Sequence, residues 1–122
     1  LGDLPLEHGE VLEGAWLAVA TWGALAPDGG NAVLFPTYFT GSHLSNARMI
    51  GPGRALDPAQ WFIIVPNMIG NGVSISPSNA GRRQAGARFP RVSVRDNVRA
   101  QHRLLTEVLG VPRLALATGW SM

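Results

Sequence analysis

The 122-residue sequence contains no cysteine, which excludes disulfides, thiol catalysis and cysteine-ligated metals and leaves the redox compartment open. Lysine is absent too: all 10 basic residues are arginine, set against 8 acids, for a net charge of only +2. So small an excess gives no long-range field for a polyanion. The densest basic patch, Arg82, Arg83, Arg88 and Arg91, lies in a glycine-containing stretch without interleaved aromatics. It reads as a solvated loop rather than a nucleic-acid surface. No run approaches the roughly 18 apolar residues that a membrane span needs, and the N-terminus lacks the basic-then-apolar layout of a leader. A soluble, cytoplasmic protein without membrane or nucleic-acid partners is expected. His, Asp and Glu nowhere cluster at ligand spacing, so no metal site is expected either. Internal repeats and low-complexity segments are likewise missing.

What is present is a globular composition, 46% apolar and 15% charged, in a length that fits a single domain at most. Residues 15–24 alternate and are rich in Val, Thr and Trp, which suits a strand near a sheet edge. Residues 26–31 (APDGGN) form a turn by residue type, and 32–35 (AVLF) form a short strand buried on both faces. Asp57-Pro58 has the form of an N-cap with Pro at the first position of a short helix, before a second buried strand, WFIIV, at 61–65. Trp61 and Phe62 are read as core. Residues 66–86, rich in Asn, Gly, Ser and Pro, make one long loop, and loops of that length are often functional. Asp96 is read as the next N-cap, with a helix over 97–109 whose buried stripe is Val98, Gln101, Leu105 and Leu109, flanked by Leu104 and Val108. Gly110 and Pro112 end it, and 114–118 (LALAT) follow as a third buried strand. Apolar strands alternating with helices predict an α/β fold with a mostly parallel sheet flanked by helices.

In such sheets ligands meet the carboxyl ends of the strands. Three loops qualify: residues 36–45, 66–86 and 119–122. The loop over 66–86 is expected to line the substrate entrance, with Asn67, Asn71, Ser74 and Ser78 as polar contacts. Gly119-Trp120-Ser121 resembles the G-x-S start of a nucleophile elbow, a strained turn that lifts a serine hydroxyl above the sheet. A bare G-x-S arises often by chance, and its placement after a buried strand and a capped helix is what gives it weight.

The stretches ATWGAL, NAVLFPTYFTGSH, GPGRALD, WFIIVPNMIGNG, SPSN, FPRVSVRDNVRAQHRLL, LGV and GWSM together resemble the homoserine O-acetyltransferase family of the α/β-hydrolase superfamily. They cover most of residues 15–122, in the family's order. The resemblance implies the N-terminal part of one α/β-hydrolase domain over 1–122, ending at the elbow. By position, it makes Ser121 the nucleophile that forms an acyl-enzyme, and the backbone N–H groups of Met122 and Phe39 the oxyanion donors. Thr40, Asn67 and Trp120 are the implied substrate contacts. Small-molecule acyl donors and acceptors are implied, with acetyl-CoA or another acyl-CoA as co-substrate if the protein is a transferase, and no bound cofactor. Trp120 stands where the family's transferases usually have Gly, and Thr37 where they usually have His, so the chain resembles a side branch whose acceptor need not be homoserine.

His43 precedes the serine, and in these folds the order is Ser, acid, His, so it is expected to be structural or pocket-lining. Asp96 is expected to cap a helix rather than act as a catalytic acid, and His8 and His102 to be exposed. The base and acid of a triad are then expected in a further C-terminal part of the domain carrying Asp and His, these residues being the first portion of a longer enzyme. Transferase and hydrolase both stay open, as does a homodimer. The alternative from another class is a non-catalytic binding or assembly module built on the same sheet.

Overall fold

The computed structural model describes residues 1–121. Strands β1 (Gly2–Pro5) and β2 (Val11–Ala15) form an antiparallel hairpin. Leu4, Leu12 and Ala15 turn inward from it and pack on Ile69, Ile75 and Ala100. The strand expected over 15–24 is therefore divided: Ala15 closes β2, and β3 (Val19–Trp22) begins only after a crossing segment. The division has a hydrogen-bonding cause. Trp16 O accepts from Ile75 N–H, and Ala18 O accepts from both the backbone and side-chain amides of Asn67, so this segment pairs with a loop rather than a strand.

The main sheet runs β3-β5-β4-β6, with β4 (Ala32–Leu34), β5 (Phe62–Pro66) and β6 (Leu116–Ala117). β3 is antiparallel to β5, while β5–β4 and β4–β6 are parallel, which agrees with a mostly parallel sheet. The continuous apolar run of β5 reflects its central position. Ile63 and Val65 pack with Val33, Phe35 and Ile50 on one face, and Ile64 packs with Ala32, Leu105 and Val111 on the other. Trp61 and Phe62 lie against these two clusters, as core residues.

Four expectations need correcting. First, β6 is short and exposed rather than buried, because among the described residues it has only β4 beside it. Second, residues 57–60 form a turn and no helix. Ala59 N–H and Gly53 N–H both donate to the Asp57 carboxylate, at 2.9 and 2.7 Å, which holds that carboxyl below its ordinary pKa. Gln60 and Trp61 N–H both close on Asp57 O, so β5 can start at once. Third, helix α2 (Val94–Arg103) is capped by Ser93, and Asp96 is the third residue of a capping box. Fourth, its buried side is Asn97, Ala100 and Gln101, continued by Leu104 and Leu105, whereas Val98 is 58% and Val108 62% exposed. A π-helical turn over Leu104–Val108, closed by Leu109 N–H on Leu104 O, re-phases the pattern on which the expected stripe rested. Gly110, at φ 62°, ends the helix as expected.

Candidate active site

β4 and β6 are parallel neighbours, so the segments that leave their carboxyl ends emerge together. After β6 comes Gly119-Trp120-Ser121. Ser121 has φ 49°, and among the described residues it is the one non-glycine residue in the left-handed region. That conformation costs an L-residue roughly 1–2 kcal/mol and persists only where the surroundings hold it. The neighbouring Trp120 supplies a hold. Its indole lies edge-on to Phe35, with ring centroids 5.2 Å apart, and tilted against Tyr38 at 5.9 Å. The turn after β6 is thereby braced against the segment after β4.

That second segment is itself pinned. Thr37 N–H donates to Pro66 O at 3.2 Å, and Met68 N–H donates to Thr37 Oγ1 at 3.2 Å, which ties the ends of β4 and β5 together. Gly41 N–H closes on Tyr38 O, making a tight turn. A Cβ at Gly41 would lie 2.7 Å from the Tyr38 ring, so a larger residue would have to displace that ring. Among the described hydrogen bonds, none engages the N–H of Tyr38, Phe39 or Thr40. Beyond this turn, Ser42 caps helix α1 (His43–Ala47).

A cavity of about 510 Å³ opens between the turn after β6 and α2, bordered by Thr37, Met68, Val98, Gln101, Trp120 and Ser121 among others. Of the residues singled out from sequence, Ser121 and Trp120 border it, and Trp120 remains 45% exposed. Phe39 (76% exposed) and Thr40 belong to the adjoining turn without lining the cavity. Met122 lies outside the described residues. Asn67 is fully buried: its Nδ2 donates to Ala18 O, and its Oδ1 accepts from His43 N–H at 3.1 Å. It ties the segment before β3 to α1 and does not border the cavity.

The loop over 66–86 likewise reaches the cavity only through Met68. Its polar residues face one another instead: Ser74 Oγ donates to Asn67 O at 2.6 Å, Ser76 Oγ to Ser74 O at 2.7 Å, and Asn71 Oδ1 accepts from Val73 and Ser74 N–H. An irregular buried backbone needs partners for its amides and carbonyls, and short polar side chains provide them. Sequence reasoning missed Met68, Val94, Asn97 and Gln101 as lining residues. Met68 lies in the loop after β5 and the other three on α2, and no local pattern reveals which side of that helix faces the turn after β6.

No ionisable side chain borders the cavity among the described residues. His43 pairs through Nδ1 with the Asn67 amide at 3.1 Å. Burial pushes the Asp96 carboxyl up, but hydrogen bonds from Ser93 and Glu7 N–H and the Ser93 hydroxyl, with Arg99 nearby, outweigh it and hold the pKa below its ordinary value. Both residues are structural, His43 as a brace and Asp96 as part of a cap. Nor, among the described residues, do three His, Asp or Glu side chains gather as a metal site, and no helix is long and apolar enough to cross a membrane. Arg83 pairs with Glu13 and Arg88 with Arg82 O, as a solvated loop would.

A mostly parallel sheet with a left-handed serine in the turn after a strand has the form of the N-terminal portion of an α/β-hydrolase fold, and comparison bears out that fold. No protein-family model matches the chain. It is 50% identical to the ethyl acetate hydrolase of Pseudomonas veronii, over 100% of this chain and 35% of that protein. It is 41% identical to the homoserine O-acetyltransferase of Thermobifida fusca, over 98% of this chain and 35% of that protein. Among solved structures, the acetyl esterase MekB superposes with a TM-score of 0.94 at 50% identity, over 97% of this chain and 34% of that one. The chain thus spans about a third of the length of the relatives it matches. The resemblance to homoserine O-acetyltransferases holds, and acetyl ester hydrolases share it.

Proposed function

We propose that Ser121 is the nucleophile of an enzyme that hydrolyses small acetyl esters. The observation that carries this is its φ of 49° in the turn that follows a parallel strand, four residues past the end of β6, the backbone signature of a serine lifted clear of a sheet. Two relatives at 50% and 44% identity are named ethyl acetate hydrolase and probable esterase, which favours water as the acceptor. In the reaction, Ser121 Oγ attacks the ester carbonyl carbon and passes its proton to a general base. The carbonyl oxygen becomes an oxyanion facing the N–H groups of Phe39 and Met122. Collapse expels the alcohol, which takes the proton from the base. Water then attacks the acetyl-enzyme, releasing acetate and restoring the hydroxyl. With no ionisable group at the cavity, the base and its orienting acid, a His and an Asp, are assigned to the part of the protein that corresponds to the remaining length of the relatives.

A second reading rests on the relatives named homoserine O-acetyltransferase: the same acetyl-enzyme, loaded from acetyl-CoA, is intercepted by a hydroxyl acceptor. The test uses the full-length protein and its Ser121→Ala variant. Release of acetate from ethyl acetate by the wild type alone, with fluorophosphonate labelling of the wild type alone, is the expected result. Acetyl-CoA consumption that depends on homoserine would favour transfer. A Ser121→Ala protein that is labelled and turns over like the wild type would refute both readings, and a full-length protein that does neither would leave a binding module.

A further inference from the structure

Asn46 lies on α1, is 1% exposed and stands outside the cavity beside Ser121, yet it holds the segment on which both halves of the candidate site meet. Its Nδ2 donates to Phe35 O at 3.0 Å and to Pro36 O at 3.1 Å. Those two carbonyls are where the chain leaves β4 for the turn that holds Phe39. Phe35 is also the residue on whose ring Trp120, the neighbour of Ser121, rests edge-on. One amide group therefore fixes the start of the donor turn and the floor beneath the serine's turn. The far end of the donor segment is held separately, by Asn71 Nδ2 on Gly41 O at 3.3 Å and Asn67 Oδ1 on His43 N–H.

The remaining atom of the amide, Asn46 Oδ1, is buried without a hydrogen-bond partner. An acceptor without a protein partner in the interior carries a desolvation cost that an apolar residue of similar volume would avoid. The return for that cost is the paired donation to Phe35 O and Pro36 O.

Resting on the proposal that Ser121 is an acyl-transfer nucleophile, we propose that Asn46 is a positioning residue for that reaction. Through Phe35 and Pro36 it sets the spacing between the Phe39 N–H and Ser121 Oγ. A displacement of about 1 Å between such groups costs on the order of 10²-fold in rate. The stabilisation of charge on the carbonyl oxygen should be lost, while binding of the neutral ester stays the same.

The test uses the full-length protein, with rates per active site counted from the acetyl-enzyme burst with p-nitrophenyl acetate. Asn46→Leu is expected to lower kcat about 10²-fold with little change in KM, and to weaken a trifluoromethyl ketone, whose adduct carries an oxyanion, by a similar factor. Asn46→Asp, which keeps the shape and removes both donors, is the second variant should the leucine protein fail to fold. Asn46→Gln, which retains the donors, should recover part of both quantities. Wild-type kcat and ketone affinity per titrated site in Asn46→Leu or Asn46→Asp would overturn the inference, as would losses confined to melting temperature or to KM. Ser121→Ala separates the two layers: if it still turns over ester, the nucleophile assignment falls and the inference with it. If it is inactive while the Asn46 variants match the wild type, only the inference falls.

Discussion

Ser121 adopts a backbone angle that glycine would take without strain, and the chain keeps a side chain there. This predicts an inverse relation between stability and chemistry at one position. In the full-length protein, Ser121→Gly should be more stable than Ser121→Ala by about 1 kcal/mol in urea unfolding, since alanine keeps the Cβ that the left-handed conformation penalises. Equal stability of the two variants would mean that the residue is relaxed in solution. The turn at Ser121 is legible in the sequence because strand, glycine and serine fall within six residues. Asn46 is not, since nothing in HLSNA marks an amide whose partners lie 10 and 11 residues upstream. Asn67 misleads for a related reason. A polar residue at a strand end looks available to a ligand, and here both polar atoms of its side chain are taken, by Ala18 ahead of β3 and by His43 on α1.

At the scale of elements, α2 is joined to the hairpin by a carboxylate. Asp96, with its side chain fully buried, accepts from Ser93 N–H, Ser93 Oγ and Glu7 N–H, each at 2.9 Å, so it completes the helix cap and seats the β1–β2 connection. Its pKa is lowered in the folded state, so the stability it contributes is present at neutral pH and lost as pH falls through that lowered value. Asp96→Asn should therefore unfold more easily than the wild type by about 1–3 kcal/mol at pH 7. The gap should begin to narrow below about pH 4, where the carboxyl of the unfolded chain takes up protons, and close as pH falls through the lower value of the folded state. Urea titrations at pH 7 and pH 3 check this, and a gap that stays constant would show that the charge is not what matters. The strands at 32–34 and 62–66 were legible because a run apolar on both faces has few other places to go. The start of α2 was misplaced by three residues because Asp96 has the residue type of a cap, and only the Ser93 hydroxyl on Asp96 N–H distinguishes the two. The helix expected after Asp57 fails on space, since β5 begins at Phe62.

For the molecule as a whole, several exposed apolar residues lie at or beside the cavity. Val94, Val98, Leu116 and Trp120 are all solvent-facing, and three of the four border the cavity. Burial of each such side chain is worth roughly 1.5–3 kcal/mol, so residues 1–122 produced on their own should self-associate. Size-exclusion chromatography and dye binding measure this directly, and esterase turnover of the same sample should be absent because no base stands beside Ser121. A stable monomer with Ser121-dependent turnover would contradict both expectations. The mostly parallel sheet was foreseen from the alternation of strands and helices. The N-terminal hairpin was not, because β1 and β2 are short and their inward residues meet partners near 70 and 100 that no neighbouring pattern announces.

The pairing of β4 with β6 also has a consequence in time. Val33 and Leu34 align with Leu116 and Ala117, about 80 residues later in the chain, so a ribosome adding 5–20 residues per second needs roughly 4–16 s between them. Throughout that interval one edge of β4 is an open template for any passing strand. The turn bearing Ser121 follows the strand that covers this edge, so the nascent chain acquires the Ser121 hydroxyl only after β4 and β6 can pair.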